Sequence, residues 1–94
     1  MRFEWGEEKA ASNEKKHGIT FTEAMTVFAD PLALTGYDPD HSVEEERFVT
    51  MGYAVTGRLL IVIHSDGEDD TLRIISARLA TRREQKDYED GNFP

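Results

Sequence analysis

Three consecutive segments decide the fold: GRLLIVIH at residues 57–64, TLRIISARLA at 71–80 and TRREQKDYED at 81–90. The run from Leu59 to Ile63 is the most apolar in the chain. It reads as a strand over Arg58 to His64 that is apolar on both faces, and so central in a sheet. Ser65 to Asp70 is a polar hairpin loop, and Leu72 to Leu79 is the next strand. Thr81 with Glu84 three residues on forms a capping box. It opens a helix that runs to about Asp90 and stops at Gly91, with Tyr88 as its one large apolar residue and its anchor to the sheet.

Working back from there, Thr56-Gly57 marks a turn and Arg47 to Tyr53 reads as a strand carrying Phe48, Val49, Met51 and Tyr53. Asp38-Pro39-Asp40-His41-Ser42 is turn chemistry, followed by an acidic patch of Glu44, Glu45 and Glu46. Leu32 to Tyr37 is a short candidate strand. A second capping box, Thr20 to Glu23, opens a helix whose Phe21, Ala24, Val27 and Phe28 recur at helical spacing, and Pro31 ends it. Glu7 to His17 reads as a helix with acids in its first turn and Lys15, Lys16 and His17 in its last, an order that complements the helix dipole. Gly18 stops it, and Asn13 and His17 lie four apart on the face of Ala10. Arg2 to Trp5 alternates like a short strand.

The expected architecture is α+β: an antiparallel meander sheet with two N-terminal helices and one C-terminal helix packed in two layers, helices on one face. Residues 1–94 make one domain. Hydrophobic content of 38% is too high for disorder. There is no cysteine, so disulfides and thiolate metal sites are excluded. No apolar leader and no membrane-length run is visible, so the expected setting is the cytoplasm, with no membrane partner.

The net charge of −8 opposes non-specific nucleic-acid binding, because phosphates are repelled at long range. Yet five of the 11 Lys and Arg fall within residues 73–86, beside a single Glu. That distribution leaves room for a local basic site on an acidic protein, and a basic partner fits the rest.

Elimination narrows the chemistry. His17, His41 and His64 lie on separate elements without ligand spacing, so no metal site is expected. No Ser sits in a glycine elbow, and no glycine loop cradles phosphate. What remains is the cluster of arginines at the strand-to-helix junction: Arg78, Arg82 and Arg83. Arginine at a helix start opposes the dipole, which calls for another reason, whether ion pairing or phosphate binding. A 2′-hydroxyl of RNA can attack its own phosphate when a base takes its proton and a cation holds the developing charge. His64 or Glu84 are the candidates for base or acid, and Arg73, Arg78 or Arg83 for the stabiliser. Three of these have a plain structural alternative: Glu84 belongs to the capping box, His64 ends a strand, and Arg73 alternates outward. Strand parity puts Leu72, Ile74, Ser76 and Arg78 on one face and Arg73 on the other, unless a bulge intervenes.

The segments FEWGEEKAASNEKKHGITFTEA, VFADPLAL, DPDHS, EERF, GRLLIVIH, LRIISAR and ATRRE, with Tyr88, together resemble the BrnT family of bacterial toxins over nearly the whole chain. The resemblance implies a RelE-like fold and a metal-independent ribonuclease that arrests translation, needing no cofactor. It also implies a BrnA-type antitoxin that binds the toxin and contacts operator DNA through its own domain. Carried over by position are Lys16, His17 and Gly18, the run Ile75 to Arg78, and Arg82, Arg83 and Glu84. From the residues and the resemblance together, Arg78, Arg83, Glu84, His64 and Arg73 are the catalytic candidates, and Arg82, Lys16, His17 and Arg58 the candidates for binding RNA. Gly6 stands where the family usually has Asp, a weaker cap for the first helix. The competing reading is a catalytically inactive module that binds an antitoxin and acts in transcriptional autoregulation.

Overall fold

The computed structural model describes residues 1–38 and 46–92. The turn at 38–42 and the glutamates at 44 and 45 therefore lie largely outside the described residues. Strand β4 (Leu59–Asp66) occupies the centre of a five-stranded sheet of order β1-β5-β4-β3-β2. The others are β1 (Arg2–Glu4), β2 (Leu34–Tyr37), β3 (Phe48–Tyr53) and β5 (Thr71–Leu79). Strands β2 to β5 form the antiparallel meander expected from their short connections. β1 differs: it pairs parallel with β5, Phe3 opposite Leu72. The reason is topological. Helix α1 (Glu7–His17) and helix α2 (Phe21–Met25) carry the chain across the sheet from one edge to the other.

The core lies on both faces of the sheet. On one, Leu60, Val62, Leu72, Ile74 and Ala77 pack against Ile19, Phe21, Ala24 and Val27 of the N-terminal helical region. Phe21 is 2% exposed, so its burial contributes about 1.5–3 kcal/mol. On the other, Val49, Met51, Leu59 and Ile61 pack with Tyr88 of α3 (Arg82–Glu89). Alternate residues of β4 thus feed separate clusters. The expectation of all helices on one face is corrected: α3 covers the face opposite α1 and α2, and the architecture is not a simple two-layer one. A strand apolar on both sides requires cover on both.

Local chemistry explains the element ends. Gly18 takes the left-handed conformation (φ 71°) that closes α1, its N–H bonding Glu14 O. Thr20 and Thr81 cap α2 and α3, and the box at Thr81 is complete. The helix expected through Phe28 is α-helical only to Met25 and continues as a 3₁₀ turn over Thr26–Ala29. Thr26 Oγ1 bonds back to Glu23 O (2.7 Å) and accepts from Val55 N (2.9 Å), which tightens the chain there. Gly52 permits close approach, since a Cβ at that position would lie 3.0 Å from both Ala33 and Val27 side chains.

Candidate active site

Between Ile63 and His64 the pairing of β4 with β5 shifts register: Ile63 faces Ser76, but His64 faces Ile74. Ile75 is the extra residue, a bulge that reverses parity in the second half of β5. Arg73 (opposite Ser65), Ser76 (opposite Ile63) and Arg78 (opposite Ile61) consequently share the face that carries α3. The bulge is what the alternation of residue types could not supply, and it undoes the separation of Arg73 from Arg78.

Arg78 is the best-defined group there. Its Nη1 and Nη2 donate to the two oxygens of Glu84 at 2.8 and 2.9 Å, and Nη1 also reaches Leu79 O at 3.2 Å. Glu84 Oε1 simultaneously accepts from Thr81 N (2.8 Å) in the capping box. One carboxylate therefore closes the helix start and grips the arginine. The side chain of Arg78 is 42% exposed. Glu84 takes the end of the guanidinium, which leaves the Nε–H and the outer Nη2–H, a parallel pair of donors matched to two phosphate oxygens.

The Arg78 guanidinium holds the Glu84 carboxyl down at about 2; burial opposes this and the Thr81 N–H assists it. The same pairing raises Arg78. Glu84 is thus a permanent anion that positions Arg78, not a group that exchanges protons near neutrality. A pH consequence follows. The unfolded carboxyl titrates near 4.5 and the native one near 2, so this stabilisation is complete above about 4.5 and lost as pH falls toward 2. The melting-temperature gap between wild type and Glu84→Gln is expected to be widest near neutral pH and to close through that window. A gap constant with pH would show that the charge is not what holds the pair.

Arg82 and Arg83 are exposed on the first turn of α3 and make no ion pair with the described residues. Arg73 is exposed too, 3.5 Å from Glu4. A Cβ at Gly6 would lie 3.7 Å from Arg73 Nη2, so an Asp there would both cap α1 and pair Arg73; Gly6 does neither. Lys16 and His17, at the end of α1, line a small cleft with Ile75 and Ser76, on the edge of β5 at the bulge.

Two candidates lie elsewhere. His64 is 2% exposed on the face of α1 and α2, between the rings of Phe28 (5.0 Å) and Phe48 (5.8 Å). Its Nε2 meets Thr50 Oγ1 at 2.7 Å and its Nδ1 meets Asp66 at 3.1 Å. Burial pushes its pKa below the usual histidine value, with Asp66 opposing. It is a satisfied core histidine, on the opposite face from Arg78. Arg58 is likewise tied to that face, gripping Glu23 through Nε (2.9 Å) and Nη2 and so bracing the β3–β4 turn against α2. The Glu23 carboxyl is lowered by that arginine, against burial.

Asn13, expected with His17 to face either the sheet or the cleft beside it, faces the sheet, though its hydrogen bonds were not legible in the sequence. It is buried in α1 and bonds Ile19 O (3.0 Å), Ala77 O (2.9 Å) and Ala77 N (3.0 Å). It closes the outer edge of β5 beyond the short β1 and fixes α1 beside the bulge. An Asn at the face of Ala10, in a helix with so few apolar residues, was the available signal. Among the described residues, no group of three His, Asp or Glu converges to hold a metal ion, and no helix is long and apolar enough to cross a membrane.

Fold and site together define a small α+β domain that presents arginines on the sheet face beside its C-terminal helix. Residues 5–84 match the model of the family described as the ribonuclease toxin, BrnT, of type II toxin–antitoxin systems, and the chain belongs to that family. The crystal structure of the Brucella abortus ribonuclease toxin BrnT is similar in fold, with a TM-score of 0.64 and 23% identity over 87% of this chain and 99% of that one. No curated protein matches the chain.

Proposed function

We propose that this protein is a metal-independent endoribonuclease of the cytoplasm that inhibits translation and is neutralised by a BrnA-type antitoxin, which alone contacts operator DNA. The observation that carries the proposal is Arg78, its side chain part-exposed and its two terminal nitrogens held by both oxygens of Glu84, so that the Nε–H and an Nη2–H are left for phosphate. In this reading a 2′-hydroxyl of bound RNA attacks the adjacent phosphorus. The 5′-oxygen leaves, and a 2′,3′-cyclic phosphate forms. Arg78 stabilises the charge that develops on the phosphoryl oxygens. Arg82 and Arg83 hold flanking phosphates, with Arg73 further along the same face and Lys16 and His17 at the β5 edge. The 2′-hydroxyl proton passes to solvent and the departing 5′-oxygen takes one from solvent, since the Glu84 carboxylate, paired with Arg78, is a weak base and His64 is enclosed.

The test is RNA integrity after incubation with purified protein in excess chelator, with free RNA and with translating ribosomes. Cleavage that persists in chelator and leaves cyclic-phosphate ends is expected. Cleavage abolished by chelator and restored by a divalent ion would sink the metal-free mechanism. Intact RNA under both conditions would favour the inactive module.

A further inference from the structure

A groove of about 570 Å³ lies between the end of α3 and the start of β2. Leu32, Leu34, Tyr53 and Tyr88 line it. Leu32 is 71% exposed and Tyr53 41%, so apolar surface is gathered here rather than scattered singly. The rim is acidic: Asp30 on one side, Glu89 and Asp90 on the other. The groove is preformed. The Asp30 carboxylate accepts from Tyr88 Oη (2.6 Å), Tyr53 N (2.8 Å) and Leu32 N (2.9 Å), and the Tyr53 and Tyr88 rings meet edge to face at 5.5 Å. Beside it runs β2, the terminal strand of the sheet.

We infer that this groove is the docking surface for a basic, amphipathic segment of the antitoxin. The inference rests on the toxin–antitoxin reading and adds where, and by what chemistry, the partner sits. Charge selects the occupant. An acidic rim on a chain of net charge −8 repels RNA and also repels a second copy, whereas it attracts a segment that alternates Lys or Arg with apolar residues. The apolar lining takes that segment's apolar side chains, and the carboxylates pair with its cations. Because the groove lies at the far end of α3 from Arg82 and Arg83, an antitoxin seated there is held by contacts separate from the arginine cluster.

The experiment titrates full-length toxin with its cognate antitoxin at low and high salt, for wild type, Leu32→Asp and the pair Glu89→Lys with Asp90→Lys. These side chains are exposed, so folding is not at issue; melting temperature and RNA cleavage by free toxin serve as controls. Each variant is expected to weaken antitoxin binding by about 30-fold or more, the loss typical of a central interface residue, with the controls unchanged. The charge reversal should also flatten the salt dependence. Unchanged affinity in both variants overturns the groove while leaving the toxin–antitoxin reading intact. A wild-type chain that binds no antitoxin overturns both. Variants that alter self-association of the free toxin, with antitoxin affinity intact, overturn the inference in favour of a second copy.

Discussion

Arg78→Ala is expected to lower the rate of RNA cleavage by about 10²–10³-fold, the usual cost of removing one preorganised donor to a developing oxyanion. Arg78→Lys should recover little, because an ammonium cannot span both Glu84 oxygens and keep a second pair of donors for phosphate. Glu84→Gln should fall between, since it leaves the guanidinium present but loosely held. The loss is expected in kcat more than in KM, because the interaction strengthens only as charge builds on phosphorus. Binding of uncleaved RNA analogues should instead respond to Arg82→Ala and Arg83→Ala, whose charges meet solvent. A full-rate Arg78→Ala enzyme would relocate the chemistry. A drop confined to KM would reduce Arg78 to a phosphate contact.

Asn13→Leu is expected to destabilise the fold by about 3 kcal/mol or more, because it strips partners from the Ala77 N–H, the Ala77 carbonyl and the Ile19 carbonyl together. In a domain of this size, a loss of about 3 kcal/mol lowers the melting temperature by roughly 12–24 °C. Asn13→Asp keeps the acceptor for Ala77 N but loses both donated bonds, and should fall between Leu and wild type. Heat or urea unfolding of the three proteins settles the order. A Leu variant within a few degrees of wild type would mean that α1 does not close the edge of β5.

The two residues share a cause. Asn13 and Arg78 both meet β5 where the bulge at Ile75 redirects it. Hydrophobic alternation shows which residues form β5, but alternation assumes an unbroken ladder, and one unpaired residue inverts every assignment beyond it. Arg73 and Arg78 therefore read as opposed in sequence and share a face in the structure. The bulge leaves no local signature in LRIISAR; it arises from pairing with β4. His64 was misleading for a related reason. A histidine at a strand end looks like a rim residue, and only the packing of Phe28 and Phe48 around it, with Thr50 and Asp66 at its nitrogens, makes it core.

What the sequence by itself determined is local and short-range. The capping threonines placed the starts of α2 and α3, Gly18 ended α1, and the apolar run through Leu59 to Ile63 marked the central strand. It also placed Arg78 and Glu84 six residues apart across a strand-to-helix junction. Tertiary structure alone decided the parallel seat of β1, the placement of α3 on the second face, the bulge that gathers the arginines, and the groove under Tyr88. These depend on pairings between residues such as Asp30 and Tyr88, 58 positions apart. Caps and periodicity are set by a residue's near neighbours, whereas register and face are set by the free energy of burying the whole sheet on both sides.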